Sequence, residues 1–156
     1  MQPRILIITG TGLDDLGDCD WNGHKGLTSE LIREACQQLC DDLRVDMDFR
    51  QADDQEKMIR WIAKDSEKFD GLIISPAGYS RASTEAPGVC QSALQDVAKL
   101  ELPVIEVHVN NIYRNSDRTA QPLREPEGEM GFICGFGMHS YLMAIKAIVK
   151  RISSNS

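Results

Sequence analysis

Apolar residues fall into two rhythms along this chain. The first is the short unbroken run: Arg4-Ile-Leu-Ile-Ile-Thr9, Asp70-Gly-Leu-Ile-Ile-Ser75 and Leu102-Pro-Val-Ile-Glu-Val-His-Val-Asn-Asn111. Such runs are too short for helices and read as strands buried on both faces of a parallel sheet. Pro103 suits only the start of its strand, because it has no N–H to give the ladder. Val45-Asp-Met-Asp-Phe49 alternates and reads as a second strand, and Phe132-Ile-Cys-Gly135 as a short fifth. The second rhythm is helical. Behind Thr28 or Ser29 as a cap, Leu31, Ile32, Ala35, Cys36, Leu39, Cys40 and Leu43 recur at the spacing of one helix face. A second helix carries Met58, Ile59, Trp61, Ile62 and Phe69, with Trp61 expected in the core. A third covers Pro87 or Val89 to Leu100, and the last holds Tyr141, Leu142, Ala144, Ile145 and Ile148. Strands alternating with helices predict an α/β fold, flavodoxin-like, with a five-stranded parallel sheet, helices on both faces and right-handed crossovers. The expected organisation is one domain over residues 1–152 with a disordered tail at 153–156.

In such sheets ligands bind just beyond the carboxyl ends of the strands. The first strand empties into Gly10-Thr-Gly-Leu-Asp-Asp-Leu-Gly17, which is not GxGxxG and has no phosphate-loop Lys. A long polar loop follows at 18–27. It can serve as a lid whose Trp21 and His24 touch a ligand, or be packed by its own tryptophan. The third strand empties into Pro76-Ala-Gly-Tyr-Ser-Arg-Ala-Ser83. The fourth ends in His108, followed by Asn110 and Asn111. An imidazole at that position can give or take a proton near neutral pH, or simply hydrogen-bond the adjacent loop. Thr11, Gly12, Ser75, Arg81, His108, Val109 and Asn110 are expected to share one cleft.

A net charge of −7 argues against nucleic acid and anionic membrane surfaces as partners. No apolar run reaches the roughly 20 residues that span a bilayer. The first residues lack the apolar segment and cleavage site of a signal peptide, so a cytoplasmic location is expected. The five cysteines are scattered and contain no CxxC pair, so neither a metal site nor a disulfide framework is expected. Cys36 and Cys40 read as buried thiols, and Cys19 lies in the polar loop. No cofactor motif is present.

Several pieces, in order along residues 4–150, resemble the type II 3-dehydroquinate dehydratases. They are Phe49-Arg50-Gln51, Trp61-Ile62, Asp70-Gly-Leu-Ile-Ile, Pro76 with Tyr79, Pro103-Val-Ile-Glu-Val-His108 with Asn111-Ile112, and Gly135-Phe-Gly137 with Tyr141-Leu142. The resemblance implies a flavodoxin-like fold and a dodecamer built from trimers. It implies chemistry that removes a proton beside a ketone and expels a hydroxyl as water. It implies His108 and its preceding Glu106 as the retained catalytic pair. The family's Gly-Pro-Asn-Leu-Asn corresponds to Gly10-Thr11-Gly12-Leu13-Asp14, which puts Gly12 at the active-site Asn. Counting onward puts Cys19 at the lid Arg and His24 at the Tyr base. The family's Asn-Pro-Gly-Ala-Tyr-Thr-His becomes Ser75-Pro-Ala-Gly-Tyr-Ser-Arg81, with Ser75 at the substrate-binding Asn, Arg81 at the His and Tyr79 kept. Arg118 and Arg124 are candidates for the Arg that holds the substrate carboxylate, and Thr11, Val109 and Asn110 for further substrate contacts.

These substitutions imply an acid–base lyase, dehydratase or isomerase acting on a small oxygenated cyclic carboxylic acid rather than an efficient 3-dehydroquinate dehydratase. His24 and His108 would be base and acid. Arg81 would be either an anion clamp or a partner of Glu85. A non-catalytic ligand sensor or structural ring is the alternative, and a genuine dehydroquinate dehydratase the second alternative. Light scattering at micromolar concentration should show a large symmetric homo-oligomer, and a monomer would contradict the assembly that the resemblance implies.

Overall fold

The computed structural model describes residues 2–10, 28–75, 101–109 and 130–154. Strands β1 (Arg4–Thr9), β2 (Asp46–Gln51), β3 (Gly71–Ser75), β4 (Val104–His108) and β5 (Gly131–Cys134) form one sheet in the order β2-β1-β3-β4-β5. Every pairing is parallel. This is the flavodoxin-like order, with its switch point between β1 and β3. The central strands are buried on both faces: Ile5 to Ile8 and Leu72 to Ile74 have no solvent contact. That explains why they read as continuous runs rather than alternating ones.

Helices α1 (Ser29–Leu43) and α3 (Met138–Ser154) lie on one face, and α2 (Gln55–Asp65) on the other. Strand pleat sorts the side chains between them. Ile5, Ile7, Ile73, Ile105 and Val107 join Ile32, Cys36, Cys40, Tyr141 and Ile145 under α1 and α3. Leu6, Ile8, Leu72, Ile74 and Val104 join Met58, Ile62 and Phe69 under α2. Glycine admits two close approaches. A Cβ on Gly71 would stand 2.8 Å from Ile148 Cδ1 of α3, and one on Gly131 would stand 3.1 Å from Ile105 Cγ1 of the neighbouring strand.

Local chemistry sets the boundaries. Thr28, not Ser29, caps α1, its hydroxyl accepting from the Leu31 N–H at 3.2 Å. Arg44 closes α1 in the left-handed region at φ 57°, and Val45 turns into the core, so β2 starts one residue later than its apolar pattern implies. Asp54 caps α2 by accepting from the Lys57 N–H at 2.6 Å. Phe69 is not on that helix. The chain passes through a 3-10 turn at Ser66–Lys68, and Phe69 is extended beyond it, buried beneath Arg4. Trp61, expected in the core, is half-buried on its rim, with Arg50 and Lys57 over the ring at 5.4 and 5.5 Å. Helix α3 runs to Ser154, past the end expected from the sequence; the Ser153 and Ser154 hydroxyls donate to carbonyls four residues back. Cys36 and Cys40 are buried free thiols, and burial raises their pKa values to about 12 and about 11. Cys134 is a half-buried free thiol, while the predicted helix at 87–100 and the cysteines Cys19 and Cys90 lie outside the described residues.

Arg50 ties the end of β2 to α2. Its guanidinium donates to Asp48 at 2.7 and 3.0 Å and to Asp65 at 2.6 Å, while Lys68 reaches Asp65 at 3.0 Å. The Arg50 hydrogen bond, and then that of Lys68, hold the Asp65 carboxyl below the usual carboxylate range. A depressed carboxyl stabilises the fold above its unfolded value, about pH 4, and loses that contribution as pH falls through the depressed value. Asp65→Asn should therefore cost up to about 1 kcal/mol at neutral pH, as expected of a partly exposed pair, and less at acid pH. Urea titrations at neutral pH and near pH 3 check this; an equal loss at both would remove the ion pair as its cause.

Candidate functional site

The carboxyl ends of β1, β3, β4 and β5 bring together Thr9, Gly10, Ser75, His108, Val109 and Cys134. Backbone bonds fix the roots of the loops that leave them. The Gly10 N–H donates to the Ser75 carbonyl at 2.7 Å, the Gly135 N–H to His108 at 3.1 Å, and the Gly137 N–H to Val109 at 2.9 Å. Gly135 and Gly137 take φ of 92° and 59°, a turn that only glycine makes without strain.

Pleat divides these side chains between the two faces. On β4, Glu106 and His108 share the parity of Val104 and so face the α2 side. Glu106 has no solvent exposure and His108 only 5%. His108 Nε2 lies 3.2 Å from Glu106 Oε2, close enough for an ion pair when the imidazole is protonated, although the line of approach is not that of a good hydrogen bond. Phe132 on β5 stands in register with Glu106, and its ring meets the imidazole at 5.7 Å between centroids with a 45° tilt. His108 thus turns its Nε2 edge to Glu106.

Ser75 follows the parity of Ile73 and lies on the opposite face, beneath α3. Its register partner on β1 is Thr9, and the Tyr141 phenol reaches down to the same place. Burial pushes the Tyr141 hydroxyl well above the usual tyrosine range. The Ser75 hydroxyl pulls weakly the other way, and Cys36 adds to the rise. Thr9 Oγ1 and Tyr141 Oη have no well-aligned partner among the described residues.

The described members of the cleft expected from the sequence divide between the two faces of the sheet. Glu106 and His108 come together. The Ser75 side chain does not join them; it faces Tyr141 across the sheet from the imidazole. Val109 packs its side chain into the core under α1 and α3, and its carbonyl is taken by Gly137. Thr11, Gly12, Cys19, Trp21, His24, Tyr79, Arg81, Glu85, Asn110, Asn111, Arg118 and Arg124 lie outside the described residues. Sequence reasoning missed Thr9, Phe132 and Tyr141. For Phe132 the signal was its place one residue into a strand that neighbours β4; for Tyr141 it was the helix face shared with Ile145 and Ile148.

A family model for dehydroquinase class II matches residues 3–149. The chain is 31% identical over 152 residues to the 3-dehydroquinate dehydratase of Clostridium botulinum, covering 96% of this chain and 97% of that one. It is 30% identical over 149 residues to 3-dehydroquinate dehydratase 1 of Agrobacterium fabrum, covering 95% and 97%. The crystal structure of the type II dehydroquinase from Butyrivibrio crossotus superposes with a TM-score of 0.78 at 24% identity, covering 94% of this chain and 97% of that one.

If the Ser75 hydroxyl serves Tyr141, Ser75→Ala should lower stability by about 1 kcal/mol, the usual net worth of a buried hydrogen bond. Denaturant titration measures the loss, and a variant as stable as the parent would remove this role. The buried Glu106–His108 pair, the parallel sheet and these matches agree: the chain belongs to the class II dehydroquinase family.

Proposed function

We propose that this protein is a dehydratase that removes water from a small cyclic polyol acid, with His108 as the acid. The supporting observation is the buried Glu106–His108 pair at the carboxyl end of β4. In this reading a base takes the proton beside the substrate ketone and the electron pair enters the enolate. The electrons return to form the carbon–carbon double bond as the C–O bond breaks. His108 delivers its proton to the departing hydroxyl, which leaves as water. Glu106 stabilises the protonated imidazole and fixes which nitrogen faces the substrate. His24, which the resemblance sets at the family's Tyr, would be the base, Arg81 the anion clamp, and Arg118 or Arg124 the group that holds the substrate carboxylate. Thr11, Gly12, Tyr79 and Asn110 would be further contacts. No cofactor enters this scheme. The proposed setting is a trimer-based homo-oligomer in the cytoplasm.

Turnover of 3-dehydroquinate is expected to be slow. The resemblance puts His24 where the family has its Tyr base and Cys19 where it has the lid Arg. Imidazole is shorter than phenol, and a small misplacement of a catalytic group can cost about a hundredfold. Formation of dehydroshikimate can be followed by its enone absorbance. Turnover below about 1 per second, lost altogether in His108→Ala, is the expected outcome. Turnover at or above that rate would make the chain a full 3-dehydroquinate dehydratase and overturn the altered specificity. Activity that survives His108→Ala would overturn the mechanism.

A further inference from the structure

The edge strand β5 carries an aromatic ring in an unusual position. Phe132 stands on the last strand of the sheet order, in register with the wholly buried Glu106 and on the same face as His108. Phe132 is 37% exposed, yet its ring meets an imidazole that is only 5% exposed. An edge position with a half-open ring is a poor place to gain apolar burial. The contact accounts for it better: the ring packs against the His108 imidazole, beside the Glu106–His108 pair. Across the register from His108 stands Cys134, a free and half-buried thiol too small to fill that space. Among the described residues, Phe132 is the aromatic side chain packed on the imidazole.

We propose that Phe132 is a positioning residue. It closes the sheet edge over the Glu106–His108 pair, keeps water from their contact, and restricts the imidazole to the orientation that leaves Nδ1 for the ligand. This deepens the reading of His108 as the acid and rests on it for its catalytic consequence. The physical reason is twofold. A charge contact kept from water is several times stronger than one in water. An imidazole with a ring against one side also has fewer rotamers open to it. Packing of this kind is what holds a catalytic group close to its productive geometry.

The test begins without any substrate, so its failure is separable from failure of the proposed reaction. Histidine carbethoxylation by diethyl pyrocarbonate, mapped by peptide mass spectrometry, reports how open each imidazole is. The exposed His139 serves as the internal reference. In the parent protein His108 should react far more slowly than His139. Phe132→Val keeps a strand-forming side chain but removes the ring; it should raise the His108 rate several-fold and leave that of His139 unchanged. Phe132→Tyr restores the ring and should restore protection. Thermal melts of all three proteins exclude global loosening; if Phe132→Val fails to fold, Phe132→Leu takes its place, with the same expectation. An unchanged His108 rate in the ring-less variant, or a rise shared by His139, would overturn the proposal and leave Phe132 an ordinary edge apolar residue. With a turned-over substrate in hand, Phe132→Val should lower kcat, by up to about a hundredfold, more than it raises KM. A change confined to KM would make Phe132 a binding contact and overturn the positioning role.

Discussion

Glu106 stands two residues before the end of an otherwise apolar strand, with its side chain wholly out of contact with solvent. A carboxylate in that place is tolerable only with partners, because desolvating a charge costs several kcal/mol. His108 Nε2, at 3.2 Å, supplies part of that compensation. The requirement fixes much else. Residues two apart on a strand share a face, so the carboxylate can turn to the imidazole only if both project toward the α2 side. The imidazole is then committed to that side, with one nitrogen engaged. Phe132 arrives beside them through the β4–β5 register.

The same pleat rule separates a second polar group. Thr9 and Ser75 project to the α1 and α3 side, where the Tyr141 phenol meets Ser75 and its ring shares the core with Ile73 and Ile145. The sheet's own backbone stands between this cluster and His108. A ligand reaching both would have to pass over the rim formed by the strand ends. That rim is well held: three backbone hydrogen bonds, from Gly10, Gly135 and Gly137, pin the points where the chain leaves β3, β4 and the turn after it.

Much of this was legible in the sequence. Continuous runs such as Ile5–Ile8 and Leu72–Ile74 announce strands covered on both sides, and parallel pairing follows from the helices between them. Its place at a strand's carboxyl end brought out His108, and the resemblance added Glu106. The face on which each polar residue projects was not legible, and the reason is physical. In a strand buried on both faces, apolar residues occupy odd and even positions alike, so hydrophobicity carries no record of parity. Ser75 and His108 both end such strands, and only the register between β3 and β4 shows that they look in opposite directions. Trp61 and Phe69 failed for a related reason. Their apolar surface is covered partly by the Arg50 and Arg4 guanidinium groups, a contact between residues far apart in sequence that no local period reveals.

The placement of Ser75 also bears on what the carboxyl ends of the strands present on each face. The resemblance sets this position against an asparagine that binds substrate. A serine hydroxyl one bond from Cβ fits beneath Tyr141 in a space with almost no solvent contact. An asparagine there carries an extra carbonyl and amino group, and would either displace the phenol or turn its side chain up past the end of the strand. The residue present therefore serves the fold from below and offers the rim its backbone; its carbonyl is already bound to Gly10. The Ser75 position thus turns no hydroxyl toward the α2 side, where His108 projects. At this end of the sheet the His108 imidazole is held on the α2 side beside Glu106 and Phe132.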